Sequence, residues 1–188
     1  MATKKHLDIL KEGIQKWNKW RAENPGIKPD LERADLGGAD LEGANFKGAN
    51  LQGANLQDAK LQGADLLGAD LLRAHLRGAD LERANLVFAD LEGANLVFTN
   101  LRGAHLFGAH LERACLGQAN LEGANLDSAN LAGADLLFAD LRGTQLKGTD
   151  LGAVKSFYMS ELDTNILSEI KAKWPEKLEY RRKDLLWP

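Results

Sequence analysis

One cysteine in 188 residues, no long apolar run and no excess of basic charge are the first features of this sequence. Each shortage removes a class of protein. Cys115 by itself forms no internal disulfide, and it lacks the neighbouring Cys and His residues that a zinc site uses. No apolar stretch approaches the ~18 residues needed to cross a bilayer, and the opening MATKKHLDIL has neither an apolar core nor a cleavage site. The chain therefore reads as cytoplasmic, with no membrane contact. Lys and Arg number 24 against 27 Asp and Glu, and the imbalance is concentrated: residues 30–153 hold 10 basic and 18 acidic side chains, a net of −8. Direct nucleic-acid binding, which usually needs a basic stripe on phosphates, is not expected.

What is present is a repeat. Leu stands at 31, 36 and 41, Phe at 46, and Leu again at every fifth position through Leu151, giving 25 unbroken registers. Two positions before each of these centres comes Ala, from Ala34 to Ala139; Pro29, Thr99, Thr144 and Thr149 are the exceptions. The slot just before the centre is mostly Asp or Asn, replaced by Lys60, His75, His105, His110, Cys115 and Gln145. An α-helix turns ~100° per residue, so a five-residue spacing would spiral the centres around it instead of forming one stripe. In an extended chain Ala and the next centre share a side, but the following Ala would face away. A bend in every unit removes the conflict, and the Gly, Asp and Asn residues are types that tolerate turns. The chain must wind into a coil with Ala and Leu inside.

The unit A-[DN]-L-x-x, as in GADLEGANFKGANLQGANL, resembles the pentapeptide-repeat family over residues 30–153. The resemblance implies an all-β solenoid: a right-handed, quadrilateral parallel β-helix with four units per coil. About six coils would then make a rod about 30 Å long. Residues 1–29 are expected to form an N-terminal capping helix and linker. Leu7, Leu10, Ile14 and Trp17 recur at helical spacing over 4–22, Thr3 serves as N-cap, and Asn24-Pro25-Gly26 is the stop. This leader, WNKWRAENPGIKPDLERADL, is also similar to those ahead of some cyanobacterial pentapeptide repeats. Residues 154–188 are expected to be a helical C-terminal tail, with Ile166, Leu167 and Ile170 in one short helix and Leu178, Tyr180, Leu185, Leu186 and Trp187 in a second. Both flanks would cover the open ends of the rod.

Chemistry is sparse. His105 and His110 suggest a metal pair by spacing alone, but units five apart occupy adjacent sides of the implied square. His75 and Cys115 would share a side two coils apart. The carboxylates Asp65, Asp70 and Asp80 recur because the turn wants them, with no concave site for acid and base work. No enzyme, cofactor or metal site is expected.

The outward slots are left free by the repeat and carry more. One side presents Lys47, Leu67, Val87, Phe107, Asp127 and Lys147, with Phe88 alongside; a second carries Val97, Phe98, Leu137 and Phe138. Contiguous exposed apolar groups on a rod are an interaction signal, unless a flank folds over them. A third side, Glu42, Gln62, Glu82, Arg102, Glu122 and Arg142, reads as solvated, and an edge with Arg33, Arg73 and Arg113 beside Glu32, Glu92 and Glu112 reads as local ion pairing. The expected role is a non-enzymatic scaffold for a protein partner or homodimer. The alternative, taken from relatives in the family, is a DNA mimic that binds DNA gyrase; against it, such relatives use more Phe at the centre, and here only Phe46 departs from Leu.

Overall fold

The computed structural model describes residues 3–149, 151, 154 and 155. From Asp30 to Asn125 every fifth residue pairs in parallel with the residue 20 further on, the last partner being Gln145, and each unit between such residues is a turn. Four units therefore complete one coil. The 24 pairing residues make six coils on four faces, and each face is named here by its first pairing residue: Asp30, Asp35, Asp40 and Asn45.

One unit shows why five residues suffice. The Leu66 N–H donates to Asn85 of the next coil at 2.8 Å, Gly68 to Val87 at 2.9 Å, and Asp70 back to Ala49 at 2.9 Å. Ala69 donates to the Leu66 carbonyl at 2.9 Å and closes the turn. The fifth donor, Leu67 N–H, points outward and is taken by Asp65 Oδ1 at 3.1 Å. All 18 Asp and Asn residues in this slot between Asp30 and Asp140 make the same bond. The Asx preference of the repeat is thus a hydrogen-bond requirement, since a backbone donor left unmade is costly.

The second residue after each centre from Leu31 to Leu146 has φ near +60°, whether Gly or one of ten other residues that include Phe88 at +55° and Phe98 at +62°. That is the left-handed bend that turns each corner. Centres and alanines face inward with almost no exposure, apart from the partly buried Ala39 of the first coil, and the column of Leu is the core. Thr99 and Thr149 replace Ala at no polar cost: their buried hydroxyls donate to the carbonyls of Leu76 and Leu126 at 2.8 and 2.6 Å.

The N-terminal segment differs from expectation. Two helices form in place of one over 4–22: α1, Lys4–Lys11, and α2, Ile14–Glu23. Gly13 separates them at φ +109°, a value closed to L side chains, so the chain turns there. Leu10 and Trp17 are buried, and Leu7 and Ile14 pack partly against the core. Thr3 occupies the N-cap position, but its hydroxyl bonds Asp30 Oδ2 at 3.2 Å instead of the helix. The helix stops before Pro25 as expected, with Asn24 following it and donating from Nδ2 to Trp20 at 2.9 Å. Beyond Val154 and Lys155, the helical tail expected over 154–188 lies outside the described residues. Among the described residues no helix is long and apolar enough to cross a membrane.

Candidate interaction surfaces

The first coil has no coil before it, so carbonyls and N–H groups that would pair upward are left open. The helices take several of them. Asn45 N–H donates to Asn18 Oδ1 at 2.8 Å, and Trp17 Nε1 donates to the Asn45 carbonyl at 2.9 Å. Arg21 Nη2 reaches the Lys47 carbonyl and Nη1 the Ile27 carbonyl, both at 2.7 Å. Burial pushes the Arg21 guanidinium below its ordinary value while the nearby Asp65 carboxylate opposes the shift, and an arginine remains charged throughout. On the Asp30 face, Asp30 N–H donates to His6 Nδ1 at 3.0 Å and Thr3 N–H to the Asp30 carbonyl at 3.0 Å. Phe46 departs from Leu for a reason visible here: it is fully buried under Trp17, ring centroids 5.5 Å apart. Sequence reasoning found Trp17 as a core residue and missed Asn18 and Arg21, whose polar side chains gave no periodic signal.

The helices thus sit on the rod's end and leave its sides open. On the Asn45 face Leu67 and Val87 are half-buried, while Phe107 is 40% and Phe88 58% exposed. Phe88 and Phe107 meet edge to face, centroids 5.5 Å apart at 79°. The Phe88 ring lies over Gly108 of the next coil, where an added Cβ would stand 2.5 Å from Cε1. Arginines at the corners repeat the arrangement: Arg33, Arg73, Arg83 and Arg113 lean over Gly53, Gly93, Gly103 and Gly133. At these five corners the large residue lies over a glycine of the next coil, whereas Phe98 is followed at its corner by Gln118.

Val97, Phe98, Leu137 and Phe138 lie on the Asp35 face, half a coil from the Asn45 face and hence on the opposite side of the rod. The eight apolar residues form two separate strips. Phe98, Leu137 and Phe138 are exposed and Val97 is half-buried. Arg77, from the preceding coil, places its guanidinium 4.7 Å from the Phe98 ring centroid, a cation–π contact that the 20-residue register makes legible in hindsight.

His105 belongs to the Asn45 ladder and His110 to the Asp30 ladder, on adjacent faces; His75 and Cys115 share the Asp35 ladder with Asn95 between them. Ion pairs follow the faces: Arg33 with Glu32 at 3.5 Å, Arg113 with Glu92 at 2.9 Å, and Arg102 with Glu122 at 3.6 Å, all too exposed to add much stability. Arg142 forks onto Asp140, with Nε 2.9 Å from Oδ1 and Nη2 2.5 Å from Oδ2. Its hydrogen bonds hold the Asp140 carboxyl below the usual range, and partial burial opposes them.

The family model for pentapeptide repeats matches eight copies in this chain, over residues 30–66, 54–87, 84–123 and 119–154. Among solved structures, the pentapeptide repeat protein Rfr23 from the cyanobacterium Cyanothece 51142 is 31% identical over 73% of this chain and 96% of its own, with a TM-score of 0.41. The pentapeptide repeat protein alr5209 from Nostoc is 35% identical over 71% of this chain and 95% of its own, with a TM-score of 0.29. QnrB1, a plasmid-mediated fluoroquinolone resistance protein, is 21% identical over 76% of this chain and 84% of its own, with a TM-score of 0.45. No curated protein matches the chain. With the family's repeat matched across residues 30–154, the chain belongs to the pentapeptide-repeat family.

Proposed function

We propose that this chain is a non-enzymatic cytoplasmic scaffold, a right-handed four-sided rod whose Asn45 face binds protein through Leu67, Val87, Phe88 and Phe107. The repeat block 30–153 is the binding body, and the flanks 1–29 and 154–188 cover its ends. One observation carries the reading: two large aromatic rings pack on each other at the surface, one of them at a left-handed corner. Phe is disfavoured there on backbone grounds, and its exposure costs solvation, so packing inside the rod does not account for it.

The gyrase-binding alternative draws on the net charge of −8 across the repeats. Against it, the acidic Asp40 face is interrupted by Arg83, Arg102 and Arg142, which pair with Glu82, Glu122 and Asp140. A continuous phosphate-like stripe is missing there, and the scaffold reading stands first.

The test is retention of proteins from native lysate on immobilised wild type and on Phe107→Glu, with circular dichroism confirming that both are folded. A protein retained by the wild type and lost from the variant supports the reading. Identical retention contradicts it.

A further inference from the structure

On the Asn45 face, the side chains just after the centres run Lys47, Leu67, Val87, Phe107 and Asp127 over five successive coils. Lys47 and Asp127 flank three apolar groups, and in the sixth coil the column ends on Lys147, whose backbone N–H donates to Asp127 Oδ1 at 2.6 Å. The slot before the centres runs Asn45, Asp65, Asn85, His105 and Asn125 over the same coils. Over these five coils both columns complement their own reversal about the third coil, and the sixth, with Gln145 and Lys147, extends past the partner's first coil. Lys47 then meets Asp127, Leu67 meets Phe107, Asp65 meets His105 and Asn45 meets Asn125, while Val87 and Asn85 meet themselves. The corner column, Gly48, Gly68, Phe88, Gly108 and Ser128, agrees. Phe88 leans over Gly108, and reversal sets its ring against Gly68 of the other copy, where no side chain stands in the way.

We propose, on the basis of the scaffold reading, that a second copy of this chain docks antiparallel on the Asn45 face. The two-fold axis lies in the interface, across the rod, at the level of Val87. Coils repeat at a constant ~4.8 Å, so pairs two coils from the axis stay in step with the pair on it. The contact is isologous, as a closed dimer requires. A parallel dimer would oppose Lys47 to Lys47 and Asp127 to Asp127, and like charges across an interface are penalised. The Asp35 face has no such symmetry: its column Gly37, Gln57, Arg77, Val97, Gly117 and Leu137 holds one charge and no partner for it. One face of five coils is a small interface, so the dimer is weak and concentration-dependent.

Two measurements test this on the full chain. In a Cys115→Ala background, Val87→Cys should oxidise to a disulfide-linked dimer, because its two copies meet at the axis. Lys47→Cys should not, because its copies stand about 19 Å apart along the rod, far beyond disulfide reach. By sedimentation up to about 1 mM, Lys47→Asp and Asp127→Lys should each weaken the dimer by about tenfold or more, since each sets like charges at both contacts. An equimolar mixture of the two should recover wild-type association, because the mixed dimer restores opposite charges at both. A monomeric wild type, equal cross-linking at positions 87 and 47, or undiminished dimers in the single variants would overturn the proposal. If a monomeric wild type still retains another protein through Phe107, the dimer fails and the scaffold reading survives.

Discussion

The indole N–H of Trp17 donates to the Asn45 carbonyl at 2.9 Å, the bond that a main-chain N–H from a preceding coil would otherwise make. With Asn18 and Arg21, α2 supplies in side chains what the rod's first edge lacks in backbone.

Trp17→Ala should therefore cost about 3–5 kcal/mol, from the cavity over Phe46 together with the lost bond. Asn18→Ala removes polar contacts alone and should cost about 1–2 kcal/mol. Urea denaturation measures both. Amide exchange at Asn45 should accelerate in each variant, whereas mid-rod amides such as Leu91 should stay protected. Equal stability of wild type and Trp17→Ala would contradict this account of the cap.

His75 occupies a slot where Asn or Asp would accept the outward N–H two residues on, and an imidazole side chain leaves that Asx bond unmade. His75→Asn should stabilise the rod by about 0.5–1.5 kcal/mol. The converse, Asn85→Ala, removes the bond to Val87 N–H at 3.3 Å and the amide contact to Asp65 at 2.9 Å, and should destabilise by about 1–2 kcal/mol. Thermal melting of the two variants should move in opposite directions.

Gly108 tests the corner packing. At φ +62°, with the Phe88 ring against it, Gly108→Ala meets both backbone strain and a clash and should lose about 1–3 kcal/mol. Phe88→Gly relieves the corner at position 88 and vacates that space, so the double variant should recover much of the loss. Calorimetric melting of single and double variants reads the coupling.

Asp140 titrates below its ordinary range because the Arg142 side chain hydrogen-bonds its carboxylate. The sign follows from linkage: a carboxyl with a lowered folded value stabilises the fold above its unfolded value, and that contribution is lost as pH falls through the folded one. The exposed fork keeps the contribution small. In Arg142→Ala the Asp140 carboxyl signal should titrate at higher pH by NMR, and an unmoved titration would refute the pairing.

Leu91 faces inward with no exposure at mid-rod. Leu91→Lys buries an unpaired charge and should abolish the folded circular dichroism signal. A soluble, unchanged variant would place the register elsewhere.

The repeat was legible because one physical rule fixes each position: Leu centres and alanines fill the core, and Asp65 and its equivalents catch the outward N–H. The strip at Leu67, Val87 and Phe107 was legible once 20 residues were taken as one coil. The break at Gly13 was not, because the periodicity of Leu10, Ile14 and Trp17 runs straight through it. Thr3 was legible as the N-cap residue of α1, but its hydroxyl's partner was not, because Asp30 lies 27 residues away in sequence. The separation of the two apolar strips onto opposite faces follows from the ten-residue offset between Phe88 and Phe98, which becomes visible once the four ladders are traced.

The most direct test of the central claim places a photo-reactive phenylalanine analogue at Phe107 and, in a separate variant, at Glu122 on the Asp40 face. Irradiation of intact cells should give a larger protein product from position 107, either two copies of this chain or this chain with another, and none from position 122. No product at 107, or matching products from both positions, would contradict the claim that the aromatic strip is the binding surface.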